Sequence, residues 1–266
     1  MARRIFRILY GHRGIDINIG GHYKFRMSPD FIFRGWERFG DRHNWAFGKC
    51  IEACIGKSVF IDVGAHVGLY SLPASRVMAP GGKIFAFEAS ANNFNYLTQH
   101  IQYNGIKNIF PYQVAIGSTN QDSVIFYEDR TPSSALSSFA KGPKFDESMY
   151  EKMVVRQITL DQFCTDHLIS PDVVKIDVEG AELLVLMGSL NILRQHKPTI
   201  FLSVHPTHLE ALGQSTEELN ATLKLLGYIP YEKDGNPATT LKSGEYICST
   251  ETGNGVSVTQ TKAGHI

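Results

Sequence analysis

The fold of this chain is decided by SVFIDVGAHVG, residues 58–68. Residues 58–63 form a short, continuous apolar run that ends at an aspartate and is followed directly by a glycine. A continuous run, unlike an alternating one, is typical of a strand that is buried on both faces. Since the glycine turn opens a helical pattern, the segment predicts the first strand of a parallel sheet covered by helices.

Further runs of the same kind follow along the chain. They are KIFAFE (83–88), NIFPYQVAIG (108–117), DVVKID (172–177) and TIFLSV (199–204), and YICST (246–250) has the pattern of a last strand. Helical patterns lie between or after these runs, at residues 69–78, 91–104, 181–195 and 215–226. This alternation predicts an α/β, doubly wound fold around a mostly parallel sheet, in which the first, fourth and fifth strands are neighbours.

The N-terminal part of the chain departs from this alternation. Residues 15–27, IDINIGGHYKFRM, predict a hairpin around Gly20-Gly21, because a Gly-Gly pair supplies the positive φ angles of a tight turn. Residues 36–55 predict a helix that begins in an aromatic stretch, which we interpret as a core anchor, with a lid over a cofactor or substrate as the alternative. We expect residues 1–57 to pack, as a hairpin and helix extension, on a domain that spans residues 58–250.

A polar insert and the C-terminal tail are the other departures. Strands predicted at 122–127 and 153–159 flank the insert, 128–152, which is rich in Ser, Pro, Gly and Lys. A loop of this length in a compact domain is typical of a functional lid, so we predict a mobile lid over the site. The tail, residues 251–266, lacks an apolar period and is predicted to be disordered.

Composition and charge exclude several classes of protein. The 266 residues include 26 Lys and Arg against 26 Asp and Glu, and this balance argues against a nucleic-acid partner. No apolar run approaches the roughly 20 residues that a membrane span needs. The four cysteines contain no CxxC pair, which argues against structural zinc, and free thiols favour a cytoplasmic location. The oligomeric state is left open.

The first candidate site is the glycine turn after the first strand. Gly64 permits a tight turn and Gly68 a close approach of the helix, while the amides at the helix start face the crevice. A purely structural turn is the alternative interpretation. We predict that this segment contacts a cofactor through Asp62, Gly64, Ala65, His66 and Gly68.

The second candidate is Glu88, which ends the next strand, 26 positions after Asp62. A carboxylate at this position is typical of a site that holds the vicinal hydroxyls of a ribose, and a helix N-terminal charge is the alternative. The pattern GxGxxG of pyrophosphate sites is absent. An acidic residue near the turn, Asp62, suits a positively charged sulfonium cofactor better. A nucleotide-dependent oxidoreductase and a non-catalytic binding module remain as rival functions.

The third candidate is KIDVEGAE, residues 175–182, at the end of the fourth strand. We expect Asp177 and Glu179 to face the crevice, and Glu182 to be a helix N-terminal charge. His205 follows the fifth strand at the same edge. It could act as a base near neutral pH, bind a divalent metal together with His208 and either Asp177 or Glu179, or be a loop histidine with a satisfied hydrogen bond. We predict Asp177, Glu179 and His205 as catalytic residues and no metal.

The order of these motifs resembles the FkbM-type methyltransferases over roughly residues 30 to 230. The resemblance rests on FIDVGAHVGLYS (60–71), FEASANNFNYLTQHIQYNG (87–105), VAIG (114–117), LDQF (160–163), VVKIDVEGAELLVLMGSLNIL (173–193) and PTIFLSVHP (198–206). It implies a seven-stranded methyltransferase sheet, S-adenosylmethionine as cofactor, and O-methylation of a sugar or natural product. Within these segments we add Ala89, Asn93, Ala115 and Asp177 to the cofactor-binding residues.

One segment departs from the family pattern, which commonly has an acidic residue on the fifth strand. The chain reads Leu202-Ser203-Val204-His205 there, so the family's base cannot be carried over to this strand. The acceptor we predict is a small molecule or a glycan.

Overall fold

The computed structural model describes residues 13–32, 34–40, 44–129, 139 and 146–250. The strands in chain order are β1 (Ile15–Ile19), β2 (Tyr23–Met27), β3 (Val59–Val63), β4 (Lys83–Phe87), β5 (Ile109–Tyr112), β6 (Ala115–Ile116), β7 (Gln121–Asp129), β8 (Tyr150–Ile158), β9 (Val173–Ile176), β10 (Thr199–Val204), β11 (Tyr228–Tyr231) and β12 (Gly244–Thr250). The α-helices are α1 (Phe47–Ala53), α2 (Ser71–Ala74), α3 (Ala91–Tyr103), α4 (Leu160–His167), α5 (Glu182–Met187), α6 (Leu190–His196), α7 (Pro206–Ala211) and α8 (Thr216–Leu225). Short 3₁₀ turns occur at Pro29–Phe31, Trp36–Arg38 and Glu147–Met149.

A seven-stranded sheet forms the centre of the molecule, in the order β11-β12-β10-β9-β3-β4-β5. The strands from β10 to β5 are parallel, and β12 runs antiparallel between β10 and β11. This confirms the predicted α/β, doubly wound, mostly parallel sheet. It also confirms that the first, fourth and fifth predicted strands, now β3, β9 and β10, are neighbours. Their carboxyl ends therefore meet at one edge of the sheet, where ligands bind in such folds.

Both faces of the sheet are covered, which explains the continuous apolar runs. Phe60 packs into one apolar cluster, which includes the N-terminal hairpin and α3. Ile61 and Val63 pack into a second cluster on the other face, with helices α4 to α6 and α8. All three residues are at most 1% exposed. Alternate residues of one strand thus enter two different cores, as a buried parallel strand requires.

The N-terminal extension contains the predicted hairpin but a shorter helix than predicted. Strands β1 and β2 pair antiparallel from Ile15 opposite Met27 to Ile19 opposite Tyr23. The helix predicted over 36–55 is wrong in its first half, since only the 3₁₀ turn and α1 form there. Asn44 has a left-handed backbone (φ 55°), which interrupts a helical path before α1.

Three other predicted elements are divided or shortened. The helix predicted over 181–195 breaks at Gly188, where an added Cβ would lie 1.9 Å from the carbonyl oxygen of Gly117. The two backbone segments touch at this point, and α5 and α6 are separate helices on either side of it. The third strand divides into β5 and β6, and the helix predicted over 69–78 is reduced to α2. Helices α4 and α7 and strand β11 were not predicted.

The polar insert is shorter than predicted, because β7 extends to Asp129 and β8 begins at Tyr150. These strands form a second sheet in the order β6-β8-β7. Glu128 is buried and accepts hydrogen bonds from Ser90 and from the Asn92 amide, so it belongs to the packed structure. The predicted lid falls mainly on residues 130–138 and 140–145, and the predicted disordered tail on 251–266. These segments lie outside the described residues.

The helices and the cysteines bear on two expectations from composition. Among the described residues, none of the helices has the length and apolar character needed to cross a membrane. All four cysteines are buried free thiols, as expected for Cys50 and Cys54 at helical spacing on an apolar face.

Candidate active site

A cleft of about 860 Å³ lies at the carboxyl edge of the sheet. It is lined by most of the residues that the sequence singled out, namely Gly64, Ala65, His66, Glu88, Ala89, Asn93, Ala115, Asp177, Glu179 and His205. Residues from β3, β4, β9 and β10 and their following turns therefore converge on one space. Asp62 and Gly68 are the predicted cofactor residues that do not line it.

The turn after β3 is held against the end of β4. The amides of Gly64 and Ala65 both donate to the carbonyl oxygen of Phe87, at 2.9 Å each. Gly64 has φ 76°, and an added Cβ would lie 1.8 Å from the carbonyl oxygen of Asp177. His66 is also left-handed (φ 52°), a conformation that a non-glycine residue seldom adopts. The glycine turn therefore brings the ends of β3 and β9 into direct contact beneath the cleft.

Replacing Gly64 by alanine should destabilise the protein by about 2–5 kcal/mol, since the methyl group adds a backbone clash to an unfavourable φ. Gly56→Ala is the matched control. Gly56 also has a positive φ (67°), but no atom lies within 4 Å of an added Cβ. We expect Gly56→Ala to cost only about 1–2 kcal/mol. Equal losses in the two variants, measured by denaturant unfolding, would contradict the close contact at Gly64.

Glu88 lies beside this turn and is 7% exposed. Its Oε2 accepts from the His66 amide at 2.7 Å, and its Oε1 accepts from the Ser90 amide at 2.9 Å. Each oxygen keeps a second acceptor position, which fits the two vicinal hydroxyls of a ribose. Burial raises the pKa of the Glu88 carboxyl to about 7, against the opposing effect of the two amides.

Asp62 takes a position that differs from the prediction. It is fully buried below the cleft, where it accepts a hydrogen bond from Ser71 at 2.6 Å and pairs with Lys175 at 3.3 Å. Asp62 therefore does not line the cleft, because its side chain takes part in a buried ion pair. Lys175 also donates to the Gly64 carbonyl oxygen at 3.0 Å. The pair thus holds the cofactor turn from beneath.

Lys175 is a residue that sequence reasoning missed. Its ammonium group is 3.7 Å from Asp177 Oδ2, so it connects the glycine turn to Asp177. Burial works against its charged form, but Asp62 and Asp177 outweigh that effect and raise the pKa of Lys175. A lysine inside a strand predicted to be buried on both faces was the available signal, since such a residue needs a charged partner.

Gly68 serves packing only. An added Cβ would lie 3.0–3.4 Å from the side chains of Leu72 and Leu97, inside the apolar cluster. Gly68 does not line the cleft, and its predicted role in close packing is confirmed.

The three predicted catalytic residues, Asp177, Glu179 and His205, lie close together in the cleft. His205 Nε2 is 3.8 Å from Asp177 Oδ1 and 3.6 Å from Glu179 Oε1. Both separations are longer than a hydrogen bond. Glu179 has a left-handed backbone (φ 49°), and its Oε2 is 3.2 Å from His208 Nδ1. A strained non-glycine turn after a strand is a common feature of functional sites.

Glu182 lies in the first turn of α5, as predicted for a helix N-terminal charge, but it has a second contact that was not predicted. It is fully buried, and its Oε1 lies 2.6 Å from His205 Nδ1 and accepts from the Gly180 amide at 3.0 Å. This contact fixes the imidazole ring so that Nε2 faces Asp177 and Glu179. The contact with Glu182 is also the satisfied hydrogen bond that the alternative of a loop histidine requires, so a catalytic role for His205 stays a prediction.

The surroundings also decide the protonation of His205. Burial lowers its pKa, but the hydrogen bond to Glu182 and the charges of Glu179 and Asp177 outweigh burial and raise the pKa to about 9. An imidazole with this pKa keeps its proton at neutral pH and has no free lone pair. These contacts therefore disfavour the predicted role of His205 as a neutral-pH base.

Aromatic side chains from the N-terminal extension form a further wall of the cleft. Trp36, Phe39 and Trp45 line it. Trp36 also stacks on Phe31, with ring centroids 4.7 Å apart, so the predicted core anchor has a second, exposed face. Glu245 of β12 lies at this wall and accepts from the Ala46 amide at 2.8 Å. Glu245 was missed because its strand offered only a short pattern.

The sequence is similar to those of known methyltransferases. The sequence profile of the methyltransferase FkbM domain matches residues 62–230, which is more than half of the chain. The hexuronic acid methyltransferase AglP of Haloferax volcanii is 28% identical over 145 residues, which make up 54% of this chain and 55% of that protein. The chain thus spans about half the length of this curated relative.

Solved structures with a similar fold include a methyltransferase FkbM from Methylobacillus flagellatus KT. It has a TM-score of 0.46 and 18% identity, over 73% of this chain and 44% of the other. A precorrin-6y C5,15-methyltransferase from Geobacter metallireducens GS-15 has a TM-score of 0.44 and 15% identity, over 84% and 92% of the two chains. Neither likeness bears on the reaction. The domain match confirms the predicted methyltransferase class and its cofactor, S-adenosylmethionine, and sets aside the oxidoreductase alternative.

Proposed function

Because this chain belongs to the FkbM methyltransferase family, we propose that it methylates a hydroxyl oxygen of a sugar or a small natural product. The observation that carries the proposal is that one cleft is lined both by Glu88 with the Gly64 turn and by Asp177, Glu179 and His205. We assign the first group to a cofactor end of the cleft and the second to an acceptor end.

The first end fits the cofactor. The carboxylate of Glu88 can accept from the ribose hydroxyls, and Ala65, Ala89 and Ala115 leave room near it because their side chains are small. Asn93 adds a polar group at the same end. When bound, S-adenosylmethionine supplies a methyl group on a sulfonium sulfur, which is already a good leaving group.

The second end favours a neutral acceptor. Asp177, Glu179 and Glu245 line it together with Lys175 and the protonated His205, so no excess of positive charge is left to select a carboxylate acceptor. The aromatic wall of Trp36, Phe39 and Trp45 suits a ring with apolar C–H faces and polar edges, as sugars have. The name of the hexuronic acid methyltransferase relative supports a sugar of some kind, over the half of that protein that is matched.

The protein's contribution to the step is positioning, exclusion of water and removal of one proton. The acceptor oxygen has to lie in line with the methyl group at near-attack distance, and the walls of the cleft hold it there. A sugar hydroxyl is weakly acidic, so its proton needs an acceptor. Asp177 and Glu179 are the carboxylates placed to receive it.

The proposal is tested by transfer of tritiated methyl from S-adenosylmethionine to a panel of acceptors. The panel contains neutral glycosides, hexuronic acids and non-sugar alcohols. We expect label in neutral sugars or alcohols, as an alkali-stable ether. Label only in alkali-labile methyl esters, or only on nitrogen, would contradict methylation of a hydroxyl.

A further inference from the structure

We propose that Asp177, Glu179 and His205 bind a divalent metal cation, which holds and activates the acceptor hydroxyl. The role assigned to the cation rests on the proposed function, but its binding does not. One ligand atom from each of these residues lies within 4.8 Å of the others. The three side chains line the same cleft, so a cation bound between them would face the acceptor.

The distances within the cluster suit ligands of a common ion. His205 Nε2 lies 3.6 and 3.8 Å from its two carboxylate oxygens, which is too far for a hydrogen bond. Two ligands that are each about 2.2 Å from one ion are separated by about 3.1–3.6 Å in octahedral or tetrahedral coordination. A shift of a few tenths of an ångström would bring His205 Nε2 to this separation from each carboxylate, and all three ligand atoms already lie within 4.8 Å of one another.

Glu182, which contacts Nδ1 of His205, is an independent indication of a metal site. Glu182 binds His205 Nδ1 at 2.6 Å, and this leaves Nε2 directed at the carboxylates. A carboxylate that holds the far nitrogen of a ligand histidine is a recurring support of metal sites. Glu182 is fully buried, and its Oε2 has no hydrogen-bond partner among the described residues. A net positive charge nearby would compensate this buried carboxylate.

The donor set indicates the class of cation. Two carboxylates and one imidazole suit Mn²⁺, and they also accept Mg²⁺ or Zn²⁺. His208 adjoins the cluster through Glu179, with its Nδ1 3.2 Å from Glu179 Oε2.

A cation at this position would change the acceptor chemistry in a defined way. It lowers the pKa of a bound hydroxyl, as it does for bound water. The O–H bond breaks and its proton passes to Glu179 Oε2, the carboxylate oxygen on the side away from His205 Nε2. The oxygen's electron pair forms the new C–O bond. The electron pair of the broken C–S bond leaves with the sulfur, which becomes neutral.

The experiment is equilibrium binding of Mn²⁺ to the full chain after treatment with EDTA and removal of the chelator. Free Mn²⁺ is followed by electron paramagnetic resonance, with Mg²⁺ and Zn²⁺ as competitors. We expect saturable binding of one Mn²⁺ per chain. Asp177→Asn, Glu179→Gln and His205→Ala should each weaken it at least about tenfold, and Glu182→Gln about tenfold. Glu210→Gln, an exposed carboxylate on α7, is the matched control and should bind as the wild type does.

Circular dichroism and melting temperature confirm that each variant is folded before its binding is compared. Absence of binding by all three cations, or wild-type affinity in all three ligand variants, would overturn the site. Methyl transfer that persists in EDTA would overturn the catalytic role of the cation while leaving the proposed function intact. Mn²⁺ binding without transfer to any hydroxyl would support the site and contradict the proposed function.

Discussion

Replacing His205 by alanine is expected to lower turnover by about 10²-fold, with S-adenosylmethionine affinity changed by less than about threefold. The reason is its position: Nε2 faces both Asp177 and Glu179 in the cleft, at 3.8 and 3.6 Å. Without the ring, these carboxylates lose the group that holds them around the acceptor. Turnover is measured at saturating cofactor and acceptor, and cofactor affinity by calorimetry.

A loss of turnover could also come from instability, because His205→Ala leaves the buried Glu182 charge without its partner, at a cost of about 3–5 kcal/mol. The double variant His205→Ala/Glu182→Gln removes that charge. It should recover most of the stability while turnover stays low. Recovery of turnover together with stability would show that His205 has only a structural role. His196→Ala, at the end of α6, is the control and should keep wild-type turnover.

The second large effect concerns Glu88. We expect Glu88→Ala to weaken S-adenosylmethionine binding by about 1–3 kcal/mol, because a charge-assisted contact to the ribose is lost. The effect should also depend on pH in the wild type. Burial raises the pKa of Glu88 to about 7, with Lys175 and Asp62 as the charged groups facing it. Only the carboxylate accepts from both hydroxyls, so the dissociation constant should rise as the pH falls below 7, by up to about tenfold per unit.

The matched control for Glu88 is Asp172. Asp172 Oδ2 also accepts from two backbone amides, those of Ser58 and Val59, but at the start of β3 and away from the cleft. Asp172→Ala should lower stability and leave cofactor affinity and its pH dependence unchanged. If Glu88→Ala keeps the wild-type affinity and pH profile, Glu88 is not the ribose acid, and the alternative of a helix N-terminal charge is correct.

The sheet could be predicted because strands buried on both faces have sequences that are continuous apolar runs, as in residues 58–63 and 199–204. The helix boundaries could not, because contacts remote in sequence decide them. The break between α5 and α6 depends on Gly188 touching Gly117, some 70 positions away. Strand β11 contains Pro230, and a proline argues against a strand unless tertiary pairing at an edge position compensates.

In the candidate site, the residues at the strand ends were predictable from topology and their partners were not. Asp177 and His205 follow neighbouring strands, so their proximity could be expected. The burial of Asp62 and Glu182 was not predicted, because a sequence shows that a residue is acidic but not that it is buried. Lys175 under the cofactor turn and Glu182 behind His205 emerge only when the chain is folded.

The central claim is that two groups of residues in one cleft have separate functions. Glu88 binds the cofactor, and Asp177, Glu179 and His205 activate the acceptor. The most direct test measures cofactor affinity and turnover at saturating cofactor in the wild type, Glu88→Ala and His205→Ala. The account predicts that Glu88→Ala acts mainly on the dissociation constant and His205→Ala mainly on turnover. If both variants change the same quantity in the same proportion, the two ends of the cleft do not have separate roles.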